Sequence, residues 1–220
     1  MTIDPWIWTC PNVLDKEFCQ HLISKFEENS DEHMTGTVFG GLDEEVKRST
    51  DYYITKSDRW KEEQRLLHNH VTFSLEKYIN HIARTFAPKE VLIDIKGDKQ
   101  FLSTGHQIQR TEPGEYYHWH TDSLSNKEYY RSLTYIFYLN DIREGGETEF
   151  INGTKIRPQT GKLLIFPATS TYFHRGVSPV SETKYISTGW FCHVPDDVHL
   201  GQEEKTSVMA QDQDMTHYID

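Results

Sequence analysis

Lys184-Tyr185-Ile186-Ser187-Thr188-Gly189-Trp190-Phe191-Cys192-His193-Val194 reads as one long β-strand. Lys184, Ile186, Thr188, Trp190 and Cys192 alternate onto one face, and Tyr185, Ser187, Phe191 and His193 onto the other. The first face is mostly apolar, so the Lys184 ammonium points where a lysine rarely goes without an anion to meet it. Three partners would suit it: an internal Asp or Glu, water reached by snorkelling at the strand end, or the distal carboxylate of a dicarboxylic cosubstrate.

Further short extended segments precede this strand, at 107–110, 116–119, 133–139, 148–151, 162–166 and 172–175. Turn signals separate them: Pro113-Gly114, Gly145-Gly146, Asn152-Gly153 and the stretch 158–161. Many short strands at this spacing predict a sandwich or barrel. Upstream the period is helical. Asp15 reads as the N-cap of a helix carrying Phe18, Cys19, Leu22, Ile23 and Phe26, which makes Cys19 a core residue. Asp58 is expected to cap a second helix over about 60–86, with Leu66, Leu67, Val71, Leu75, Tyr78, Ile79 and Ile82 as its apolar stripe. Residues 52–54 read as a short strand, and 29–46, polar with Gly36, Gly40 and Gly41, as a mobile loop.

The expected architecture is mainly β with flanking helices: a sandwich or barrel with the N-terminal helices packed on one sheet. One catalytic domain would occupy 1–195, with helical support over about 12–88 and the barrel core over about 92–194. A polar, acidic tail follows at 196–220, and either it or the 29–46 loop could serve as a lid. At 220 residues, with 36% hydrophobic and 13% aromatic content, the chain can bury a sizeable core. The net charge of −11 argues against nucleic acid as a partner. No apolar run suits a membrane helix. The start, Met1-Thr2-Ile3-Asp4-Pro5, carries no secretory signal, and Cys10, Cys19 and Cys192 make no disulfide framework, so a cytoplasmic location is expected.

The chemistry begins at His120-Thr121-Asp122, answered by His174. Two imidazoles and one carboxylate form the facial set that holds non-haem Fe(II) and leaves the opposite positions open. On an extended strand His120 and Asp122 project to the same face, and so does His118. A cupin-type site using His118 and His120 would want a carboxylate three or four residues after the second His. The next glutamate, Glu128, is too far along, whereas Asp122 is correctly placed. His118 therefore reads as supporting, substrate-facing or exposed, and His106, His193 and His199 as structural. Tyr138, on the face shared by Thr134 and Ile136, offers a hydroxyl that could join Lys184.

From 107 to 190 the chain resembles the 2-oxoglutarate and Fe(II)-dependent oxygenases, specifically their prolyl 4-hydroxylase branch. The matching words are Pro113-Gly114-Glu115-Tyr116-Tyr117 before His120-Thr121-Asp122, then 131–140 ending in Tyr138-Leu139-Asn140. Next come Gly145-Gly146-Glu147-Thr148-Glu149-Phe150, the stretch 161–166, and His174 with Pro179-Val180 and Lys184. Arg48-Ser49-Thr50 and the helix after Asp15 are similar to the family's N-terminal elements, so the likeness spans roughly 12–193.

The resemblance implies a double-stranded β-helix, or jelly-roll barrel, with Fe(II) on His120, Asp122 and His174, and with Lys184 and Tyr138 or Thr148 on 2-oxoglutarate. It implies O2 as co-reactant, ascorbate as a reductant, and Arg131, Tyr117 and Trp190 lining the side of the pocket that takes a proline-containing peptide or protein. One departure stands out: many members carry a tyrosine nine residues before the first ligand histidine, where this chain has Thr111. The expected reaction is hydroxylation of an unactivated C–H bond, with peptidyl proline the leading substrate. The same cofactors acting on a free amino acid or small metabolite, and a cupin-type metalloenzyme, remain the alternatives.

Overall fold

A computed structural model describes residues 4–38, 41–86, 101–124 and 130–193. The 196–220 tail, His199, Glu128 and the first part of the expected barrel core, 92–100, lie outside these residues. Two antiparallel sheets face each other. The larger takes β1 (Trp8–Cys10), β11 (Leu163–Pro167), β8 (Tyr130–Tyr138), β13 (Lys184–His193), β6 (Gln107–Thr111), β4 (Thr50–Tyr53) and β2 (Met34–Thr35) in that spatial order, with β5 (Phe101–Ser103) also on β13. The smaller runs β10 (Lys155–Ile156), β9 (Thr148–Phe150), β12 (His174–Gly176), β7 (Tyr116–His120) and β3 (Lys47–Arg48). This is a sandwich of the kind the strand spacing predicts, with the jelly-roll layout that the family resemblance implies.

Two helices cover the outer face of the larger sheet. α1 (Lys16–Glu28) starts where Asp15 Oδ1 accepts from the Phe18 N–H at 2.7 Å, the expected N-cap bond. Its Cys19, Leu22 and Phe26 are buried, with Phe18 and Ile23 packed beside them. α2 (Lys61–Phe86) lays Leu67, Val71, Leu75, Tyr78 and Ile82 on the same core, which also holds Ile108, Leu133, Tyr135, Phe137, Leu163 and Phe191 from the sheet. A second apolar cluster, including Ile136, Tyr138, Phe150, Phe166 and Ile186, fills space between the two sheets. Gly189 marks a close approach on β13. A Cβ there would lie 2.1 Å from the Gly105 carbonyl oxygen and 2.3 Å from the Tyr135 hydroxyl.

Several expectations need correction. Asp58 does not cap α2. It lies inside a 3-10 turn (Asp58–Trp60) whose cap is Ser57, its hydroxyl accepting from the Arg59 N–H at 3.3 Å. Ile54 leaves the strand for another 3-10 turn (Ile54–Lys56). The 29–46 stretch is more than a loop: it contains a 3-10 turn (Ser30–Glu32) and β2, which pairs with β4. The N-terminal region is likewise not only helical support, since it supplies β1, β2 and β4 to one sheet and β3 to the other. Among the described residues, no helix is long and apolar enough to cross a membrane.

Candidate active site

The site lies between the sheets, in a cavity reached by His120, Asp122 and His174 from one side and by Lys184, Thr134 and Trp190 from the other. His174 faces His120 in the β12–β7 register. The candidate donor atoms of His120, Asp122 and His174 lie within 4.8 Å of one another. Asp122 Oδ1 is 3.7 Å from His120 Nε2, and Asp122 Oδ2 is 3.6 Å from His174 Nε2. An ion with six ligands at ~2.1 Å holds neighbouring donors ~3.0 Å apart, so small side-chain movements would close this set around a metal.

Both imidazoles are prepared for that role by the same local device. His120 Nδ1 donates to the His118 carbonyl at 2.7 Å, and His174 Nδ1 donates to the Tyr172 carbonyl at 3.0 Å. Each bond fixes the tautomer that leaves Nε2 as a lone-pair donor. Burial, reinforced by His174, lowers the His120 pKa and keeps its ring neutral. Burial alone would raise the Asp122 pKa, but His174, His120, Arg131 and a hydrogen bond from Thr134 together hold it below the usual carboxylate range. The Tyr117 ring stacks on His120, centroids 3.5 Å apart and planes 10° off parallel.

His118 does not share the His120 face. Between Tyr117 and His120 the β7 strand advances three residues while β12 advances two, so β7 carries a bulge there. The extra residue breaks the two-residue alternation. His118 is exposed and stacks on Tyr116, while Tyr117 and His120 both line the cavity. The cupin-type pairing of His118 with His120 therefore lacks its geometry.

At another edge of the cavity Lys184 is 5% exposed, and no carboxylate of the described residues lies within 4 Å of its ammonium. Burial pulls its pKa down to about 8, against a partial counter-effect from the charge of Glu147. Among the described residues, the internal ion pair considered for it is thus not formed. Tyr138 and Thr148, both buried, bond hydroxyl to hydroxyl at 2.7 Å, and Thr148 lines the same cavity as Lys184. Asn140 latches the turn before Lys184, donating to the Thr183 carbonyl at 2.8 Å and accepting from the Tyr185 N–H at 2.9 Å. Arg131 is also buried, its guanidinium 3.5 Å from the Trp190 ring centroid. All nine residues singled out from the sequence thus border the cavity or touch a residue that does.

Other groups escaped the sequence reading. The Thr134 hydroxyl donates to Asp122 Oδ2 at 2.7 Å. Lys47, buried on the cavity wall, donates to Asp51 Oδ2 at 2.6 Å, while Ser49 donates to Asp51 Oδ1 at 2.7 Å. Gln107 and Gln109 line the cavity from β6. A signal for the Lys47–Ser49–Asp51 set existed in its every-second-residue spacing, although the surrounding segment looks like a polar loop.

Residues 106–192 match the family described as the 2OG-Fe(II) oxygenase superfamily, the stretch that supplies the triad and Lys184. This stretch of the chain is thus similar to the core of the 2-oxoglutarate and Fe(II)-dependent oxygenases. It is 34% identical over 89 residues to a PKHD-type hydroxylase of Synechococcus sp. (strain CC9902), an alignment covering 38% of this chain and 39% of that protein. The chain therefore matches about two fifths of the length of that curated relative. Two solved structures share the fold. A viral collagen prolyl hydroxylase from Paramecium bursaria Chlorella virus-1, solved as a 2-oxoglutarate complex, aligns at TM-score 0.60 with 20% identity, over 86% of this chain and 97% of that one. A prolyl hydroxylase from Trichoplax adhaerens, bound to a peptide fragment of the hypoxia inducible factor oxygen degradation domain, aligns at TM-score 0.65 with 18% identity, over 93% and 87%.

Proposed function

We propose that this chain is a 2-oxoglutarate- and Fe(II)-dependent dioxygenase that hydroxylates peptidyl proline. One observation carries the reading: a His-Asp-His donor set shares a cavity with a buried lysine that has no carboxylate partner among the described residues. The family core supports the cofactors, and the fold shared with prolyl hydroxylases supports the substrate class. With Fe(II) bound, the site would couple oxidative decarboxylation of 2-oxoglutarate to succinate with hydroxylation of a substrate C–H bond.

The chain's own residues do the rest. His120, Asp122 and His174 would hold the iron, their donor atoms aimed by the His118 and Tyr172 carbonyls and the Thr134 hydroxyl. Lys184 would take the distal carboxylate of 2-oxoglutarate, helped by the Tyr138–Thr148 hydroxyl pair. Ile136 and Ile186 line the cavity and would keep water from the cosubstrate. Arg131, Trp190 and Tyr117 would hold the substrate, the guanidinium donating to a peptide carbonyl and the indole offering a flat apolar wall to a pyrrolidine ring.

The purified protein, supplied with Fe(II), 2-oxoglutarate and a panel of proline-containing peptides, is expected to form succinate and to add one oxygen atom to a peptide. Turnover that does not need 2-oxoglutarate would overturn the cofactor assignment. Turnover with 2-oxoglutarate that no peptide stimulates would instead point to a free amino acid or small metabolite.

A further inference from the structure

On β6, Gln107 and Gln109 sit in register with Thr188 and Ile186 of β13, on the rungs that follow the Lys184–Thr111 pair. All of these residues line the cavity. The glutamines are 5% and 8% exposed, and neither side-chain amide has a hydrogen bond to any described residue. Gln107 Oε1 is a buried acceptor with no partner among the described residues. Trp190 Nε1, two residues beyond Thr188 on β13, is a buried donor with none among the described residues. Leaving one such group unmet costs about 1–3 kcal/mol, so a wall carrying two is built for something that arrives.

We infer that Gln107 is a specificity-determining residue that hydrogen-bonds a peptide group of the substrate next to the proline to be hydroxylated. The inference rests on the dioxygenase reading above. The cosubstrate's two ends are already provided for there, one by Lys184 with the Tyr138–Thr148 pair and the other at the His-Asp-His centre. Gln107 is also far along the wall: its rung is four residues from Lys184 on β13, roughly 13 Å at ~3.3 Å per residue. Four C–C bonds of ~1.5 Å cannot extend a five-carbon diacid beyond ~6 Å. The next inward-facing side chain on β13 is Trp190, whose ring carries the Arg131 guanidinium. A carboxamide offers both a donor and an acceptor, and a half-turn of the amide exchanges them. A peptide group offers the complementary pair. Gln109, one rung closer to Lys184, can serve the same chain or the junction with the cosubstrate.

The test uses the full-length protein loaded with Fe(II), with poly(L-proline) and proline–alanine repeat peptides as probes and succinate release as readout. Gln107→Leu is expected to raise the KM for the peptide that is turned over about tenfold, the loss of one hydrogen bond. The KM for 2-oxoglutarate and the slow peptide-independent turnover should stay put. Thermal stability should hold or rise, because an unmet polar group leaves the interior. Gln107→Glu, which keeps the shape but changes the hydrogen-bonding set, should show the same selective loss if the leucine variant does not fold. A raised 2-oxoglutarate KM, or an unchanged peptide KM with turnover intact, would overturn the inference and leave the dioxygenase reading standing. If neither peptide stimulates the unmodified enzyme, the peptidyl-proline reading falls, and with it the peptide group as occupant of this wall.

Discussion

The Thr134 hydroxyl donates to the one oxygen of Asp122 that faces His174, at 2.7 Å. Thr134 belongs to the larger sheet and His174 to the smaller, so this contact ties the carboxylate of the donor set to the opposite wall of the barrel. It fixes which Asp122 oxygen looks at which histidine. Partners of this kind typically contribute 10–100-fold in metal affinity. Thr134→Val, nearly the same volume without the hydroxyl, is expected to weaken Mn(II) or Fe(II) binding by at least about tenfold in calorimetry. An unchanged affinity would mean that the backbone alone orients Asp122.

Removing the donors themselves should be harsher on function than on the fold. The apolar core under α1 and α2 lies on the far face of the larger sheet and contains none of the three. His120→Ala, Asp122→Ala and His174→Ala are each expected to abolish turnover and metal binding while retaining cooperative thermal unfolding. A His174→Ala protein that bound Mn(II) and turned over normally would sink the ligand assignment.

Lys184 gives the clearest pH dependence. Burial brings its pKa to about 8, so the ammonium that would meet 2-oxoglutarate is present below that pH and lost above it. The KM for 2-oxoglutarate should therefore climb as pH passes through about 8. An unfolded lysine titrates near ~10.4, so between about 8 and ~10.4 the unfolded chain binds more protons than the folded one. The contribution of this group to stability thus rises with pH across that window. Lys184→Met should raise the melting temperature at neutral pH and cripple 2-oxoglutarate use, while Lys184→Arg should recover part of it. A Lys184→Met enzyme with the usual 2-oxoglutarate dependence would exclude the lysine as the anchor.

What the sequence made legible were features written at short range. Alternation along 184–194 places Lys184, Ile186, Thr188 and Trp190 on one wall, where the structure has them. The Asp15 cap and the three-to-four spacing of α1 follow from local hydrogen bonding and burial, and both are present. What escaped depends on pairing at a distance. The β7 bulge that turns His118 outward exists only because β12 opposes three residues with two. Thr134 gains its meaning only when β8 is laid beside a carboxylate twelve positions earlier. The Lys47–Asp51 pair looks like solvated loop charge until β3 and β4 carry it against the Tyr117 ring.

That pair makes a stability prediction. Both side chains are almost fully buried, and Asp51 also accepts from Ser49. Asp51→Ala would leave the Lys47 ammonium inside without a counter-charge, a loss of about 3–5 kcal/mol. The double variant Lys47→Met/Asp51→Leu should cost far less, because no charge is stranded. Gly36 is packed on the same cluster: a Cβ there would lie 2.2 Å from Ser49 Oγ and 3.0 Å from Lys47 Cε, so Gly36→Ala should destabilise as well. Urea denaturation of the four proteins gives the order directly. A single Asp51→Ala variant no less stable than the double would show that water already screens this pair.

Arg131 and Trp190 come from neighbouring strands, β8 and β13, and stack guanidinium on indole at 3.5 Å. The stack holds the cation in one orientation at the cavity wall, beside Asp122, whose carboxylate its charge helps keep ionised. Two consequences of deleting it can be separated. If Arg131 acts on the substrate, Arg131→Ala should cut peptide-coupled succinate formation by at least about tenfold, the loss of a charge-assisted hydrogen bond. The slow decay of 2-oxoglutarate without peptide should then be nearly unchanged. If its main effect runs through Asp122, both rates should fall together and Mn(II) affinity with them. Trp190→Phe keeps a flat apolar wall and a ring for the guanidinium, so it should retain most of the coupled rate, whereas Trp190→Ala should resemble Arg131→Ala. Equal losses in coupled and uncoupled turnover for Arg131→Ala would assign the residue to the metal centre and remove it from the substrate side.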